Sequence, residues 1–358
     1  MREFCKRFPE IAARFERFWE GGETDRPAMF ISAPKDRPDS SVEWPRGESV
    51  TDRLRPDYMV AQARAQVAHI AYFAEGFPHF WVNFGPGILH ACIGGEAEFS
   101  DESPETTWFP PFLSDIEEFG ELRFEPEGKW WRQIMACTEA VFEEVGEEVV
   151  VSFTDIGGNA DILASAVGTQ QLLVDVLERP EAVKRAIWHA HGLWMQAYEA
   201  NYAVIAPRQE VTSTWWPILS RGRTYMTQCD FNSMISPQVF RDLFVGELGA
   251  IYRELDKGAY HLDGIGTEAH VPALLEEEGL HCIQWVPAPG TSALRHARML
   301  RGIQEAGVSI TFGIRPEEVE QACREFDPRR LLLVVWCESE GQARELVGNA
   351  PRWCEGWR

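Results

Sequence analysis

The chain has 358 residues, of which 45% are hydrophobic and 25% are charged, and its formal net charge is −22. This charge argues against a nucleic-acid partner, because neutralising phosphates requires clustered Lys and Arg. The sequence contains no apolar run of the ~18 residues that a membrane span needs, and its charged N-terminal stretch lacks the apolar segment of a signal peptide. Its eight cysteines include no Cys-x-x-Cys pair, a pattern typical of reduced thiols. We therefore expect a cytoplasmic protein that acts on a small molecule without membrane association.

Short apolar runs alternate with segments of helical periodicity along the chain. The predicted strands are 28–32, 80–84, 149–153, 210–213, 259–263, 281–285, 308–312 and 331–336. The predicted helices include 56–73, 170–177, 181–202, 237–255, 267–278, 292–305 and 316–325. Eight strands alternating with helices predict an α/β fold, a single (β/α)8 barrel of the TIM type with long strand-to-helix loops. A doubly wound open sheet is the alternative. We expect one domain over residues 1–358, with residues 1–25 as an N-terminal helical extension.

Polar side chains at the ends of predicted strands are the first candidates for a functional site. His261 and Asp263 lie two residues apart in an extended segment, so both project from the same face, and Cys337 follows the last predicted strand. In a barrel of this type the active site is built at the C-terminal ends of the strands. His261 and Asp263 can act as metal ligands or as an acid/base pair without metal, and the residues alone leave both interpretations open.

The loops after the third and fourth predicted strands supply further candidates. Asp155 is a site candidate because the following Gly157-Gly158 pair suits a backbone that approaches a ligand closely, whereas Asp161 is interpreted as a helix cap. Arg223 could clamp a carboxylate or phosphate, although loop arginines are more often solvated. We rank Asp230 above it as a ligand contact.

Three of the fourteen tryptophans form a candidate floor for a ring-shaped or sugar-like substrate. Trp215 and Trp216 follow the fourth predicted strand, and Trp285 lies on the sixth. Packing between the sheet and its helices is an equally good interpretation for all three rings.

Two segments carry a resemblance to a known family. The sequence Asp-Phe-Asn-Ser-Met-Ile-Ser-Pro at 230–237, followed by the predicted helix and by Tyr-His-Leu-Asp-Gly at 260–264, resembles the central part of the uroporphyrinogen decarboxylase superfamily. In outline the resemblance extends from Phe80 to Cys337. The superfamily includes the decarboxylase itself and zinc-dependent methyltransferases that move methyl groups between corrinoid proteins and thiols. The resemblance implies the same barrel that the strand count predicts.

The decarboxylase branch is similar in outline but differs at its substrate contacts. Its Arg-rich loop after the first strand is replaced here by Ser-Ala-Pro-Lys-Asp-Arg at 32–37. Its acidic residue after the second strand corresponds to Asn83, and a neutral amide cannot compensate a developing pyrrolic cation. We therefore expect that the chain is not a uroporphyrinogen decarboxylase, and we retain Asn83 as a substrate contact.

The methyltransferase branch resembles this chain more closely. That branch has His-x-Cys, an acidic residue about twenty positions later and a late Cys, and the matching positions here are His261, Asp263, Gln284 and Cys337. The resemblance implies a zinc ion held by His261, Asp263 and Cys337, with Gln284 as a substrate contact. Exchange of a thiolate for the Asp263 carboxylate makes the site harder and moves the preferred nucleophile from sulfur toward oxygen.

The resulting expectation is metal-dependent methyl or alkyl transfer at the C-terminal mouth of the barrel. By resemblance, the partners are a corrinoid protein or a second copy of the chain in a homodimer. The alternative is a lyase or decarboxylase that acts on a small aromatic or sugar-like acid through His261 and Asp263. A third possibility is a non-catalytic barrel that binds a small ligand or a corrinoid protein.

Overall fold

The computed structural model describes residues 3–102 and 106–357. The strands are β1 (Ala28–Pro34), β2 (Ile70–Ala74), β3 (His79–Trp81), β4 (Glu98–Phe99), β5 (Thr107–Trp108), β6 (Val150–Ser152), β7 (Thr224–Gln228), β8 (Lys257–Asp263), β9 (Leu280–Val286), β10 (Ser309–Ile314) and β11 (Leu331–Trp336). The helices are α1 (Glu3–Glu20), α2 (Pro56–His69), α3 (Leu89–Cys92), α4 (Lys129–Val145), α5 (Asn159–Val167), α6 (Thr169–Glu178), α7 (Pro180–Ile205), α8 (Pro237–Phe240), α9 (Gly246–Glu254), α10 (Val271–Leu274), α11 (Ala297–Glu305), α12 (Val319–Glu325) and α13 (Glu340–Trp353).

The chain forms a mixed α/β fold around a sheet rich in parallel strands. Seven strands are hydrogen-bonded in the order β2-β1-β11-β10-β9-β8-β7, and all of the neighbours are parallel except β2, which runs antiparallel to β1. The strands β3 and β6 form a separate parallel pair, and β4 and β5 form an antiparallel pair. The hydrogen-bonded strands in the described ranges do not close into a barrel, so the closed (β/α)8 prediction is confirmed only as an α/β fold with a largely parallel sheet.

The fourth predicted strand, 210–213, is wrong. That segment forms only an isolated bridge between Thr212 and Ser220, and the strand at this point of the chain is β7. All five β7 residues are buried although three of them are polar. The hydroxyls of Thr224 and Thr227 donate to the carbonyls of Lys257 and Ala259 on β8. Because they are hydrogen-bonded, burying these two hydroxyls costs little free energy. Because three of its five residues are polar, the sequence of β7 resembles that of a loop.

The first predicted helix ends earlier than expected. Helix α2 ends at His69, and the apolar residues that follow it form β2 on the open side of β1. A short apolar run fits a helix and a strand equally well, and pairing with β1 decides between them here. Each of the other seven predicted strands overlaps an observed strand, although 80–84 shares only residues 80 and 81 with β3.

The two faces of the main sheet pack into different cores. The inner face carries Ala259, Cys282 and Leu332, which join the buried side chains of α1 in a smaller core. The outer face carries Tyr260 and Ile283, which join the large core formed with the surrounding helices. Because successive strand residues point to opposite faces, this alternation fixes which polar residues share a side of the sheet.

Two further features concern the whole described chain. No individual helix between residues 3–102 and 106–357 has the length and apolarity to cross a bilayer, and only α5 and α6, bent by 107° relative to each other, meet the length and composition requirements as a pair. The seven cysteines whose side chains are described are all buried, and none of these seven is joined to another in a disulfide.

Candidate metal and acid/base site

His261, Asp263 and Asp230 form a cluster of potential metal ligands at the C-terminal ends of β7 and β8. One ligand atom from each residue lies within 4.8 Å of the other two. Within the cluster, His261 Nε2 is 4.0 Å from Asp263 Oδ2. The cluster is open to solvent at its two carboxylates, whereas the imidazole is partly buried.

The backbone explains why these three side chains meet. His261 and Asp263 are two residues apart on β8 and therefore project from the inner face together. Gln228, the last residue of β7, pairs with His261 in the parallel register. The chain continues for two residues beyond Gln228 and so brings Asp230 alongside the end of β8.

A hydrogen bond from the neighbouring strand fixes the His261 imidazole. His261 Nδ1 lies 2.6 Å from Gln284 Oε1, and the two residues pair in the register of β8 and β9. An amide oxygen can only accept, so Nδ1 donates this hydrogen bond, and Nε2, which is 4.0 Å from Asp263 Oδ2, is the ring nitrogen left for another partner. Gln284, which sequence analysis assigned to substrate contact, is fully buried and orients His261 instead.

Asp161 holds the loop that carries Asp230. Its carboxylate accepts hydrogen bonds from the backbone N–H groups of Asp230, at 3.1 Å, and of Phe231, at 2.8 Å. The interpretation of Asp161 as a helix cap is wrong, because α5 is capped by Gly158 and Asp161 lies within its first turn. Burial, followed by repulsion from Asp230, raises the pKa of Asp161 to about 8.

Asp155 is buried behind the cluster. It accepts hydrogen bonds from the Gly157 N–H at 2.8 Å and from the Tyr225 hydroxyl at 3.3 Å, both at Oδ1. Burial raises the pKa of Asp155 to about 7, and the negative charge of Asp230 adds to the rise. This carboxyl can therefore hold or release a proton near neutral pH.

The glycine pair after β6 brings protein segments together. A Cβ atom at Gly158 would lie 2.1 Å from the carbonyl oxygen of Gln228, and one at Gly157, where φ is +81°, would lie 2.6 Å from Gly87 Cα. The expectation that these glycines make room for a ligand is therefore replaced by a structural reason. They let the loop after β6 approach the end of β7, which places Asp155 and Asp161 beside Asp230.

The site concentrates negative charge. Although the Asp230 side chain is exposed, desolvation by the protein around it raises its pKa, the nearby His261 opposes the rise, and Asp263 adds to it. Repulsion among these carboxylates would be relieved by a bound cation or by proton uptake. One imidazole and two carboxylates form a donor set that suits zinc and the other first-row divalent metals, so the residues present fit a catalytic metal.

Aromatic rings border the imidazole. The Trp215 ring meets the His261 ring edge-on, with 5.0 Å between centroids, and lies 6.4 Å from the Trp81 ring. The indole nitrogens of Trp81 and Trp215 are buried and have no hydrogen-bond partner among the described residues. Trp216 donates from Nε1 to Thr311 Oγ1 at 3.0 Å. The structure thus brings Trp215 to the cluster and holds Trp216 against β10.

Cys337 and Trp285 lie elsewhere. Cys337 is not a member of the ligand cluster; it is fully buried in the outer core, and burial raises the pKa of its thiol to about 11. Trp285 follows Gln284 and so points to the outer face, where it is 1% exposed and packs against the His296 ring at 4.8 Å. Neither side chain shares the face that carries His261.

Arg223 and Asn83 are also separate from the cluster. Arg223 immediately precedes β7, so it lies at the N-terminal end of that strand, opposite the end that leads to Asp230. It forms an ion pair with Glu199 and covers the Tyr202 ring at 4.7 Å. Asn83 is exposed and accepts a hydrogen bond from the Gly85 N–H at 2.7 Å. This is a local turn interaction.

Comparison with known proteins adds information about the fold. No protein-family model matches the chain, and no curated protein sequence matches it either. Among solved structures, the chain is similar to a methyltransferase from Methanosarcina mazei, with a TM-score of 0.59 and 10% sequence identity over 96% of this chain and 98% of that one. At this identity the similarity establishes a shared fold, which is the fold of a methyltransferase.

Proposed function

We propose that the protein is a metal-dependent enzyme that transfers methyl or alkyl groups, with a (β/α)8 barrel architecture and its active site at the C-terminal ends of the parallel strands. The fold shared with a methyltransferase supports the reaction class. The sequence resemblance at 230–237 and 260–264 supports membership of the uroporphyrinogen decarboxylase superfamily. In this proposal Asp230, His261 and Asp263 hold the metal, and Asp230 takes the position that sequence analysis gave to Cys337.

The hydrogen bond between His261 and Gln284 is the observation that carries the proposal. Histidines that bind metals typically donate their second N–H to an oxygen acceptor, which fixes the tautomer and the direction of the ring. His261 has this arrangement, because Nδ1 donates to Gln284 Oε1 and leaves Nε2, which is 4.0 Å from Asp263 Oδ2, as the ring nitrogen that can bind a metal. A zinc ion held there would act as a Lewis acid that lowers the pKa of the acceptor group.

In this proposal, carboxyl groups around the cluster take up the proton that the acceptor loses. In the proposed reaction the acceptor gives up its proton and bonds to the methyl carbon, while the bond from that carbon to the donor breaks and leaves its electron pair on the donor. Asp155, whose pKa is raised to about 7 by burial, suits the role of proton store near neutral pH. By resemblance, the donor is a corrinoid carried by a partner protein.

Metal analysis tests the proposal directly. The full chain, purified without added metal, should bind about one zinc ion, measured by elemental analysis and by titration against a chromogenic chelator. The variants His261→Ala and Asp230→Asn should each lose most of this binding. Asp242→Asn, which changes an exposed carboxylate on the neighbouring helical segment, is the matched control and should not. Equal zinc binding in all four proteins would exclude this site as the metal centre.

Transfer is then measured with the zinc-loaded protein. Methylcobalamin serves as the donor, thiols and hydroxyl compounds serve as acceptors, and absorbance follows the loss of the methyl group from cobalt. Turnover that disappears in His261→Ala and survives in Asp242→Asn is the expected result. Zinc binding without transfer to any acceptor would refute the methyl-transfer part and leave the metal site intact.

A lyase or decarboxylase is the second candidate, and the elevated pKa values of Asp155 and Asp161 favour it. Carboxyls that titrate near pH 7 to 8 are suited to general acid/base catalysis without a metal. Under this alternative, Asp155→Asn abolishes turnover of small aromatic or sugar-like acids while elemental analysis finds no zinc in the active protein. Turnover that depends on added zinc would exclude it.

A further inference from the structure

A recess opens beside β1 and β11, near the C-terminal ends of these two strands. It has a volume of about 360 Å³ and is lined by Phe30, Ser32, Trp44, Gln66, Ile70, Tyr72, His79, Pro217 and Trp336. Ligand pockets in proteins commonly measure about 300 to 1,000 Å³ and combine aromatic walls with a few polar groups. This recess therefore has the size of a site for a small ligand.

The walls of the recess are aromatic, and two of them are open to solvent. Trp44 and Trp336 are 46% and 54% exposed, so each ring has a face that a ligand could cover. Tyr72 meets the Phe30 ring edge-on at 5.9 Å, and the Trp44 ring is stacked on His69 at 5.7 Å. These contacts hold the rings in place before any ligand arrives.

The polar side chains that line the recess are uncharged, and most of them already form hydrogen bonds within the protein. Gln66 Nε2 donates to the Tyr72 hydroxyl at 2.6 Å and to the His79 carbonyl at 2.8 Å. His79 Nε2 donates to the Thr214 carbonyl at 2.7 Å, and burial lowers the pKa of His79 to about 4, so the ring is neutral. The Ser32 hydroxyl has no hydrogen-bond partner among the described residues, so it is available to a ligand.

The lining contains no Lys, Arg, Asp or Glu side chain. A carboxylate or phosphate would have no cation to pair with, and a small cation would have no carboxylate. Burying an unpaired charge is costly, whereas a neutral ring gains from burial against aromatic walls. The lining therefore favours an uncharged planar ligand that carries one group able to hydrogen-bond with Ser32.

The recess is distinct from the Asp230, His261 and Asp263 cluster. The segment that contains Trp215 and Pro217 separates them, since the Trp215 ring packs on His261 and Pro217 lines the recess. Ser32 and Trp336 pair in register at the ends of β1 and β11, on the same inner face as His261. None of the three proposed metal ligands lines the recess, so a molecule bound there would not contact them.

We infer that this recess is a binding site for a small uncharged aromatic compound of the phenol class, whose ring packs between Trp44 and Trp336 and whose oxygen hydrogen-bonds with Ser32. The site does not depend on the metal or on the proposed reaction. It is a second ligand site at the mouth of the fold, separate from the carboxylate cluster.

Three simple probes test the inference on the full chain. Phenol, tetramethylammonium and benzoate represent the neutral, cationic and anionic classes, and their dissociation constants are measured by ligand-observed NMR. Phenol should bind most tightly. Trp336→Ala should weaken phenol binding about threefold to tenfold, because one aromatic contact is lost. Ser32→Ala should weaken it about fivefold, the value of one hydrogen bond.

Matched control variants show whether phenol binds in this recess or elsewhere on the protein. Trp188→Ala removes a ring of similar exposure, 50%, on the outer surface of α7 and should leave phenol binding unchanged. Asp263→Asn should also leave it unchanged, even if that variant loses zinc, so the two proposals can fail separately. Trp44→Ala replaces Trp336→Ala if the latter does not fold. Tighter binding of either ion, or phenol binding that is insensitive to Trp44, Trp336 and Ser32, would overturn the inference.

Discussion

Replacement of Gln284 by Leu tests whether the hydrogen bond to His261 controls the metal affinity of the cluster. The substitution keeps the approximate volume of the side chain but removes the oxygen that accepts from His261 Nδ1 at 2.6 Å. The imidazole then has no partner that fixes its tautomer or its direction. Because Gln284 is 1% exposed, water cannot readily replace the lost acceptor.

The expected magnitude follows from the role of such partners in metal sites. Loss of the acceptor that hydrogen-bonds to a metal-binding histidine typically lowers metal affinity by about 10- to 100-fold, which corresponds to about 1.4 to 2.8 kcal/mol. None of the three proposed ligands is removed by Gln284→Leu, so the number of zinc ions bound at saturation should stay the same. The zinc dissociation constant of the purified variant is measured by competition with a chromogenic chelator.

Thr311→Val is the control for Gln284→Leu. Thr311 pairs with Gln284 in the register of β9 and β10, is equally buried and also uses its side chain in one hydrogen bond, but to Trp216. Its replacement should leave the zinc dissociation constant within about twofold of the parent value. If Gln284→Leu binds zinc as tightly as the parent protein while His261→Ala does not, the orienting role assigned to Gln284 is refuted.

Three further outcomes follow from the structure. Burial raises the pKa of Asp155 from 3.8 to about 7, so the folded chain keeps a proton that the unfolded chain has lost; the free energy of unfolding should fall as pH rises from about 4 to about 7, and Asp155→Asn should flatten that fall in urea titrations. Trp285→Ala should cost about 3 to 5 kcal/mol of stability in the same assay and leave zinc affinity unchanged, because the ring is buried on the outer face. Asp263→Cys should strengthen zinc binding and Asp263→Asn should weaken it, as measured by chelator competition; equal affinities would remove Asp263 from the ligand set.

Much of the sheet could be predicted because most of its strands are short apolar runs. The exception, β7, is informative. Its inner-face residues Thr224 and Gln228 are polar, and the sequence cannot show that the carbonyls of β8 will accept hydrogen bonds from the hydroxyls of Thr224 and Thr227. The polar residues of β7 therefore made a buried strand resemble a loop in the sequence. Arg223, which precedes β7, was for this reason predicted to lie in a loop at the functional site.

Local spacing predicted part of the site. Residues two apart on a strand share a face, so His261 and Asp263 could be paired from the sequence alone. The same rule argues against a shared site for the consecutive residues Gln284 and Trp285, and the structure puts them on opposite faces. The approach of Asp230 depends on the register of β7 and β8, which involves a strand that the sequence did not reveal.

The orientation of the last predicted strand could not be predicted from its sequence. Leu331 to Trp336 is apolar throughout, so its sequence gives no indication of which residues face inward. The structure places Leu332 in the inner core and Cys337 in the outer core. A buried thiol whose pKa is raised to about 11 resists the deprotonation that zinc binding requires, whereas the raised pKa of Asp230 starts from an ordinary carboxyl value of 3.8.

The carboxylate arrangement links the metal proposal to the acid/base alternative. Asp155, Asp161 and Asp230 all have raised pKa values, and the proximity of other carboxylates contributes to each of them. A divalent cation at Asp230 would favour the ionised form of that carboxyl, and its positive charge would also lower the pKa of Asp161 and Asp155. Without a cation the same carboxyls retain protons near neutral pH and can act as general acids. A bound cation would therefore decide how many of these carboxyls carry a proton. Its presence or absence would also decide which of the two proposed reactions the residues can support.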